Sequence, residues 1–187
     1  KGKSGTTKDE LEEWTYSHAI ATKAILEVLL LSEDKKLLSH AANDAVKWCI
    51  ASQYPVAGGW KYAYQSLSGG DTSVTGWMVS ALSGAERCLP KKLIDLNKED
   101  LSKSIKLARD HVENSTMSSN GLTGYNSPGD EGSVPASLYP SPYPFLKKMS
   151  PMSAVGIFVR LCAGESPKSE TIKLSKRVVL RQLPSWS

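Results

Sequence analysis

Three segments of this chain open alike: YSHAIATKAIL from Tyr16, TSVTGWMVSAL from Thr72 and MSAVGIFVRLC from Met152. Ser17, Ser73 and Ser153 fall in register, and small residues follow each of them. A second helix-forming segment comes after each, so the chain reads as helical pairs that resemble one another. A repeated pair of this kind cannot bury its apolar face alone, and its neighbours must stack against it. No segment shows the sustained period-two alternation of a half-buried strand. The fold class expected is all-α, built of α/α-hairpin repeats.

The helices can be placed by their apolar spacing and their breakers. The first runs from Ser17 to Leu31, with Ile20, Ala24, Ile25 and Val28 on one face and Leu26, Leu29 and Leu30 spread round the cylinder. A helix apolar nearly all round is buried on several sides. The second runs from Lys36 to Ser52, with Ala41, Ala45, Trp48 and Ser52 sharing a face beside Cys49, and Pro55 forbids its continuation. The third, Thr72 to Cys88, carries Val74, Trp77, Met78, Ala81 and Leu82 as a core-facing stripe. Asp71 or Thr72 is its natural N-cap and Pro90 its stop. Leu101, Ile105, Ala108 and Val112 mark a fourth from about Lys98 to Asn114. Met152, Val155, Val159 and Cys162 mark a fifth from Met152 to Ala163, and Ile172, Val179 and Leu180 a sixth from about Lys168 to Leu183.

Two stretches stand outside this pattern. Residues 1–13 are polar and read as a flexible lead-in. Residues 120–151 hold four glycines and six prolines, at 128, 135, 140, 142, 144 and 151, so they form neither a helix nor a central strand. They read as a Pro/Gly-rich insertion loop, and connections of that length are commonly functional. The whole of 1–187 reads as a single repeat domain. Its start at Lys1, in a Lys/Gly/Ser/Thr run, suggests a piece of a longer protein.

Composition removes several classes. Hydrophobic residues make up 40% and charged residues 22%, which excludes a disordered tail and a disulfide miniprotein. The net charge of +4 is too small and too scattered to argue for nucleic acid. The longest apolar stretch, Ala24 to Leu31, is interrupted by Glu27 and falls short of a membrane span. Cys49, Cys88 and Cys162 are widely spaced, with no CxxC pair, and read as buried reduced thiols.

The segment Gln53 to Leu82, QxxxxxGGW followed by GGDTSVTGW, resembles the repeat motif of the α/α-toroid group. That group holds squalene-hopene cyclases, the β-subunits of protein prenyltransferases and the thioester domains of complement proteins. The chain is most similar to the bacterial prenyltransferase/squalene-oxidase repeat proteins. The similarity is good across Tyr16 to Leu82 and weaker but patterned beyond it. It implies inner helices sheathed by outer ones in a terpenoid-cyclase-like barrel. A full ring takes about six hairpins, so this chain would be a partial α/α-toroid. Gln53, Tyr125 in GLTGY, Gln182 and Trp186 fit the ends of successive repeats, with each glutamine bonding loop backbone and each aromatic packing on a neighbour.

The resemblance brings three chemistries, each testable by residue type. The acid motif DxDD of the cyclases falls on Ser68, Gly69, Gly70 and Asp71, where only the last carboxylate is present. The zinc pattern Asp-x-Cys of the prenyltransferases falls on Asp71, Thr72 and Ser73, where a hydroxyl replaces the thiolate, and no histidine stands near Met152. The GCGEQ block of the thioester proteins is absent. No metal or other cofactor is expected.

What remains is the mouth formed by the inner-helix starts, where Tyr16, His18, Asp71, Ser73 and Trp77 are the candidate ligand-binding residues. Helix N-termini favour anions, so a small apolar or anionic ligand suits that mouth. Against this stand simpler roles: Asp71 as a helix cap, His18 as a packing residue, Trp48, Trp60 and Trp77 as core, and Tyr139, Tyr143 and Phe145 as anchors of the insertion. Ser17 and His18 are adjacent on a helix and do not make a nucleophile–base pair. The expected function is a non-catalytic repeat domain that binds a ligand or protein partner on its concave face. The alternatives are an enzyme on an isoprenoid-like substrate, with Asp71 and His18 as acid or base, and an assembly domain of a larger envelope protein. An open stack with uncovered apolar faces is also compatible with a homodimer.

Overall fold

The computed structural model describes residues 14–33, 35–62, 69–130 and 151–181. The expected lead-in, the greater part of the insertion with Tyr139, Tyr143 and Phe145, and the terminal Gln182 and Trp186 lie outside the described residues.

Among the described residues the protein is all-helical: α1 (Trp14–Leu31), α2 (Lys36–Ala51), α3 (Thr72–Cys88), α4 (Lys98–Asn114), α5 (Met152–Cys162) and α6 (Glu170–Leu180). Pro90 falls in a short 3-10 turn, Leu89–Lys91, that closes α3. Consecutive helices pack as pairs, α1 on α2, α3 on α4 and α5 on α6. Helix α3 is central, because α1 lies along one side of it and α5 along the other.

The start of α3 follows from capping chemistry. Asp71 sits in extended backbone and accepts from the N–H groups of Ser73 and Val74, so two orphan donors of the first turn are satisfied. Asn97 and Ser169 cap α4 and α6 in the same way. The stripe expected on α4 is observed in full, with Leu101, Ile105, Ala108 and Val112 buried.

Two buried faces differ from expectation. On α1 the buried residues are Thr15, Ala19, Thr22, Leu26 and Leu29, whereas Ile20 and Val28 are 47% and 52% exposed. The helix is apolar nearly all round, so periodicity does not single out a face. Close approach does: small and hydroxyl-bearing residues fit the seams, with Thr15 donating to the Tyr62 carbonyl at 2.6 Å and Leu26 meeting Gly84. On the described part of α2 the buried residues are Ala42, Val46 and Cys49, one position round from Ala41, Ala45 and Trp48, of which Trp48 is half-buried; Ser52, from the expected face, is buried at the helix end. Trp77, expected in the core, is 42% exposed, while Trp60 is 1% exposed with its indole N–H on the Cys49 carbonyl.

The loop after α2 is fastened by Gln53. Its amide donates to the carbonyls of Gly58 and Ser104, at 2.6 and 2.9 Å, and its carbonyl oxygen accepts from the Ser104 hydroxyl. A buried amide with both ends engaged fixes the loop without leaving an unsatisfied polar group. The described part of the insertion, residues 120–130, is packed rather than free: Gly121 lies against Leu174 and Ser175, and Gly124 donates to the Ser115 carbonyl. The three cysteines are free thiols, Cys49 and Cys88 buried and Cys162 half-buried.

Candidate functional site

Helix α3 begins where two loops converge. The Trp60 carbonyl accepts from Asp71 N, and the Tyr125 carbonyl accepts from Thr72 N at 2.8 Å. With Ser73 and Val74 bound to the Asp71 side chain and Thr75 N bound to the Asp71 carbonyl, each N–H from 72 to 75 has a partner. The first turn of α3 therefore has no free donors for the anion expected there.

Asp71 is 4% exposed and is first of all a cap. One of its oxygens does all the observed work. Oδ1 accepts from Ser73 N at 2.8 Å, from Val74 N at 3.1 Å and from the Ser73 hydroxyl at 2.5 Å. Having given its single proton to Asp71, Ser73 can only accept from the Tyr16 hydroxyl that bonds to it. The order is Tyr16 to Ser73 to Asp71.

Two more tyrosines stand beside this relay. The rings of Tyr16 and Tyr62 lie 5.6 Å apart. Burial pushes the Tyr62 phenol up, the charge of Asp71 adds to it, and Tyr16 and Tyr125 contribute in the same sense. Burial likewise raises Tyr16, against its hydrogen bond to Ser73 and together with the charge of Asp71. The phenols are neutral across the ordinary pH range.

Of the candidate residues, Tyr16, Asp71 and Ser73 come together. Trp77 lies one helical turn beyond Ser73 on α3 and looks outward. His18 does not join them: its Nε2 is 3.0 Å from the Ala45 carbonyl and its ring lies 3.9 Å from that of Trp48. Helix geometry explains the split, since residues two apart point about 200° from each other, so Tyr16 faces α3 while His18 faces α2.

The histidine that does come near Asp71 is His111, on α4. Forty residues of chain separate the two, and His111 was not among the candidates read from the sequence. It is buried, packed against Gly59 and Gly70, and its Nε2 has no hydrogen-bond partner among the described residues. Burial lowers its pKa, opposed by the charge of Asp71. The signal in the sequence was the pair of GG dipeptides, since bare backbone at both positions makes room for a ring.

No three His, Cys, Asp or Glu side chains gather as a metal site among the described residues. A surface groove runs along α4 past Lys98, Ser102, Lys106 and Asp110, on the opposite element from the tyrosine cluster. No described helix is long and apolar enough to cross a membrane.

Comparison with family models, with curated proteins and with solved structures gives no match for this chain.

Proposed function

We propose that this chain is a non-catalytic α/α-hairpin repeat domain, resembling a partial α/α-toroid, that binds a ligand with an apolar part on the outward face of α1 and α3. The observation that carries the reading is the exposure of Ile20 and Trp77, each one helical turn beyond a member of the Tyr16–Ser73–Asp71 relay. Large apolar residues that adjoin one another on an exposed helix face mark a contact surface. The pairing of α1 with α2, α3 with α4 and α5 with α6 supports the hairpin arrangement. So does a recurring seam: Trp60 N donates to the Thr75 hydroxyl of α3, and Thr123 N donates to the Ser153 hydroxyl of α5.

Of the two acid or base candidates of the enzyme reading, Asp71 is engaged as a helix cap and His18 is engaged elsewhere. Ser73 stands where a zinc thiolate would be, and its proton is held by Asp71. The assembly reading has one observation in its favour, the exposure of Leu31 and Val28 on α1 and of Phe158 and Leu161 on α5.

The test is a binding titration followed by tryptophan fluorescence with 1-dodecanol, on the wild type and on the Ile20→Ser/Trp77→Ser double variant. Saturable binding that the double variant loses supports the reading. Absence of binding, together with a concentration-dependent dimer in light scattering, transfers the apolar face to a second copy and overturns it.

A further inference from the structure

We propose that His111 is a proton-operated latch: its neutral ring lets the glycine neck at the start of α3 stay closed, and a proton on the ring opens that neck. The inference stands apart from the apolar-face reading.

The neck is where the two arms of the loop between α2 and α3 meet. Trp60 and Asp71 form an antiparallel bridge, with Asp71 N donating to the Trp60 carbonyl at 2.7 Å. One step away, Gly59 and Gly70 face each other, so closely that a methyl group on Gly59 would stand 2.8 Å from the Gly70 Cα. The ring of His111 lies against both. The same methyl would be 2.9 Å from its Cγ, and one on Gly70 would be 3.0 Å from its Nδ1. Bare backbone on both arms lets the neck close over an imidazole.

That fit suits a neutral ring. His111 is 4% exposed, and its Nε2 has no hydrogen-bond partner. A protonated imidazole carries an N–H on both nitrogens, and a buried charged donor without an acceptor is costly. Burial is the larger influence on the ring and disfavours the proton. The titratable group that faces it, at the junction of the neck and α3, is Asp71, whose charge favours the proton without outweighing burial.

Anchoring decides which part yields. Helix α4 is held by Leu101, Ile105, Ala108 and Val112, all buried. The Gly59 arm is fastened to α4, because the Gln53 amide joins the Gly58 carbonyl to that of Ser104. Tyr54 N also donates to the Gly59 carbonyl. The Gly70 arm begins at Gly69, where φ is +88° and a methyl group would meet nothing within 4 Å among the described residues. A charged ring therefore displaces the Gly70 arm, parts Asp71 N from the Trp60 carbonyl and reaches water. In the open form the ring titrates as an ordinary histidine, near about 6.5. Acid then favours opening by up to about tenfold for each pH unit below that value, until the closed form also takes the proton.

Amide hydrogen exchange of the full chain at about pH 7 and about pH 5, corrected for the intrinsic pH dependence of exchange, reads the opening. The expected result is a severalfold fall in the protection of the Asp71 amide at the lower pH. The amides of Ile105 and Ala108 in α4 should stay better protected. Small additions of urea should leave the Asp71 rate unchanged, which marks a local opening. His111→Gln removes the titrating group and should flatten the pH dependence, whatever its protection at neutral pH. Protection of the Asp71 amide that does not change with pH in the wild type overturns the latch. So does exchange at Asp71 that keeps pace with α4 and rises steeply with urea, since the acid response is then global unfolding. An undiminished pH dependence in His111→Gln overturns it as well.

Discussion

The ring of His111 lies against the bare backbone of Gly70, so closely that a methyl group on Gly70 would stand 2.8 Å from Cε1 of the imidazole. The same methyl would stand 2.7 Å from the Cα of Gly59. Gly70→Ala therefore overpacks a buried seam, and such changes cost about 1–3 kcal/mol. Urea unfolding measures it. In the Gly70→Ala/His111→Ala double variant the ring clash is relieved and the backbone clash stays. The two substitutions should then be clearly non-additive, and simple additivity contradicts the packing described.

Acid should weaken the fold through His111. Burial depresses its pKa in the folded state, opposed by Asp71, and Nε2 has no acceptor waiting for a second proton. In the unfolded chain an ordinary histidine titrates near about 6.5. The unfolded chain thus takes up the proton first as the pH falls. The stability contributed by neutral His111 is complete above about pH 6.5 and is lost as the pH falls through that value towards the depressed one. Urea midpoints between about pH 7 and about pH 5 should fall more steeply for the wild type than for His111→Gln. Parallel curves contradict the assignment.

Asp71 is a cap before it is anything else. Asp71→Ala leaves Ser73 N and Val74 N without their acceptor and costs about 0.5–2 kcal/mol, while Asp71→Asn retains most of the stability. Chemical denaturation of the two variants separates the capping role from the charge. A larger loss in Asn than in Ala is the result that would refute it.

The thiols should differ in reactivity. Burial pushes the Cys49 thiol up to about 12, with the hydrogen bond to Thr22 opposing, whereas Cys162 is half-buried. The thiolate is the reactive species, so a thiol held protonated and buried is inert. Native-state labelling with a disulfide reagent at mildly alkaline pH should modify Cys162 first and reach Cys49 only on unfolding. Rapid labelling of Cys49 contradicts the burial.

Glu165 holds α4 and α5 together. Burial raises its pKa, but hydrogen bonds from Ser169, Arg160 and Arg109 outweigh that and leave it lowered. Arg160 is 1% exposed, so removing a carboxylate partner leaves a buried cation less well compensated. Glu165→Ala should cost about 1.5–3 kcal/mol, the range for hydrogen bonds to charged groups. Thermal and urea unfolding at neutral pH measure this, and an unchanged midpoint refutes it.

The helices were legible because their breakers and stripes agree. Pro90 and Asp71 bracket α3, and Leu101, Ile105, Ala108 and Val112 leave one reading of α4. Faces were legible only where the polar side was strongly polar. On α1, apolar residues surround the cylinder, and the choice was made by the small size of Ala19 and Thr22 against neighbouring helices, which is a tertiary constraint. Half of the candidate site was readable. Tyr16, Ser73 and Asp71 stand at helix starts that the packing of α1 on α3 brings together. Tyr62 and His111 reach the same place through a loop and α4; for His111 the two GG dipeptides were the signal, and for Tyr62 nothing in the local sequence announces it. The pairing of His18 with Trp48 was equally hidden, because it depends on how α1 is rotated against α2.

The measurement that bears most directly on the whole account is the stability of the Ile20→Ser/Trp77→Ser variant, taken together with its affinity for 1-dodecanol. A contact face adds little to folding, so urea unfolding should change by no more than about 0.5 kcal/mol per site while binding disappears. If the variant instead unfolds several kcal/mol more easily, or binds the alcohol as the wild type does, those residues belong to the core of the fold or to nothing at all.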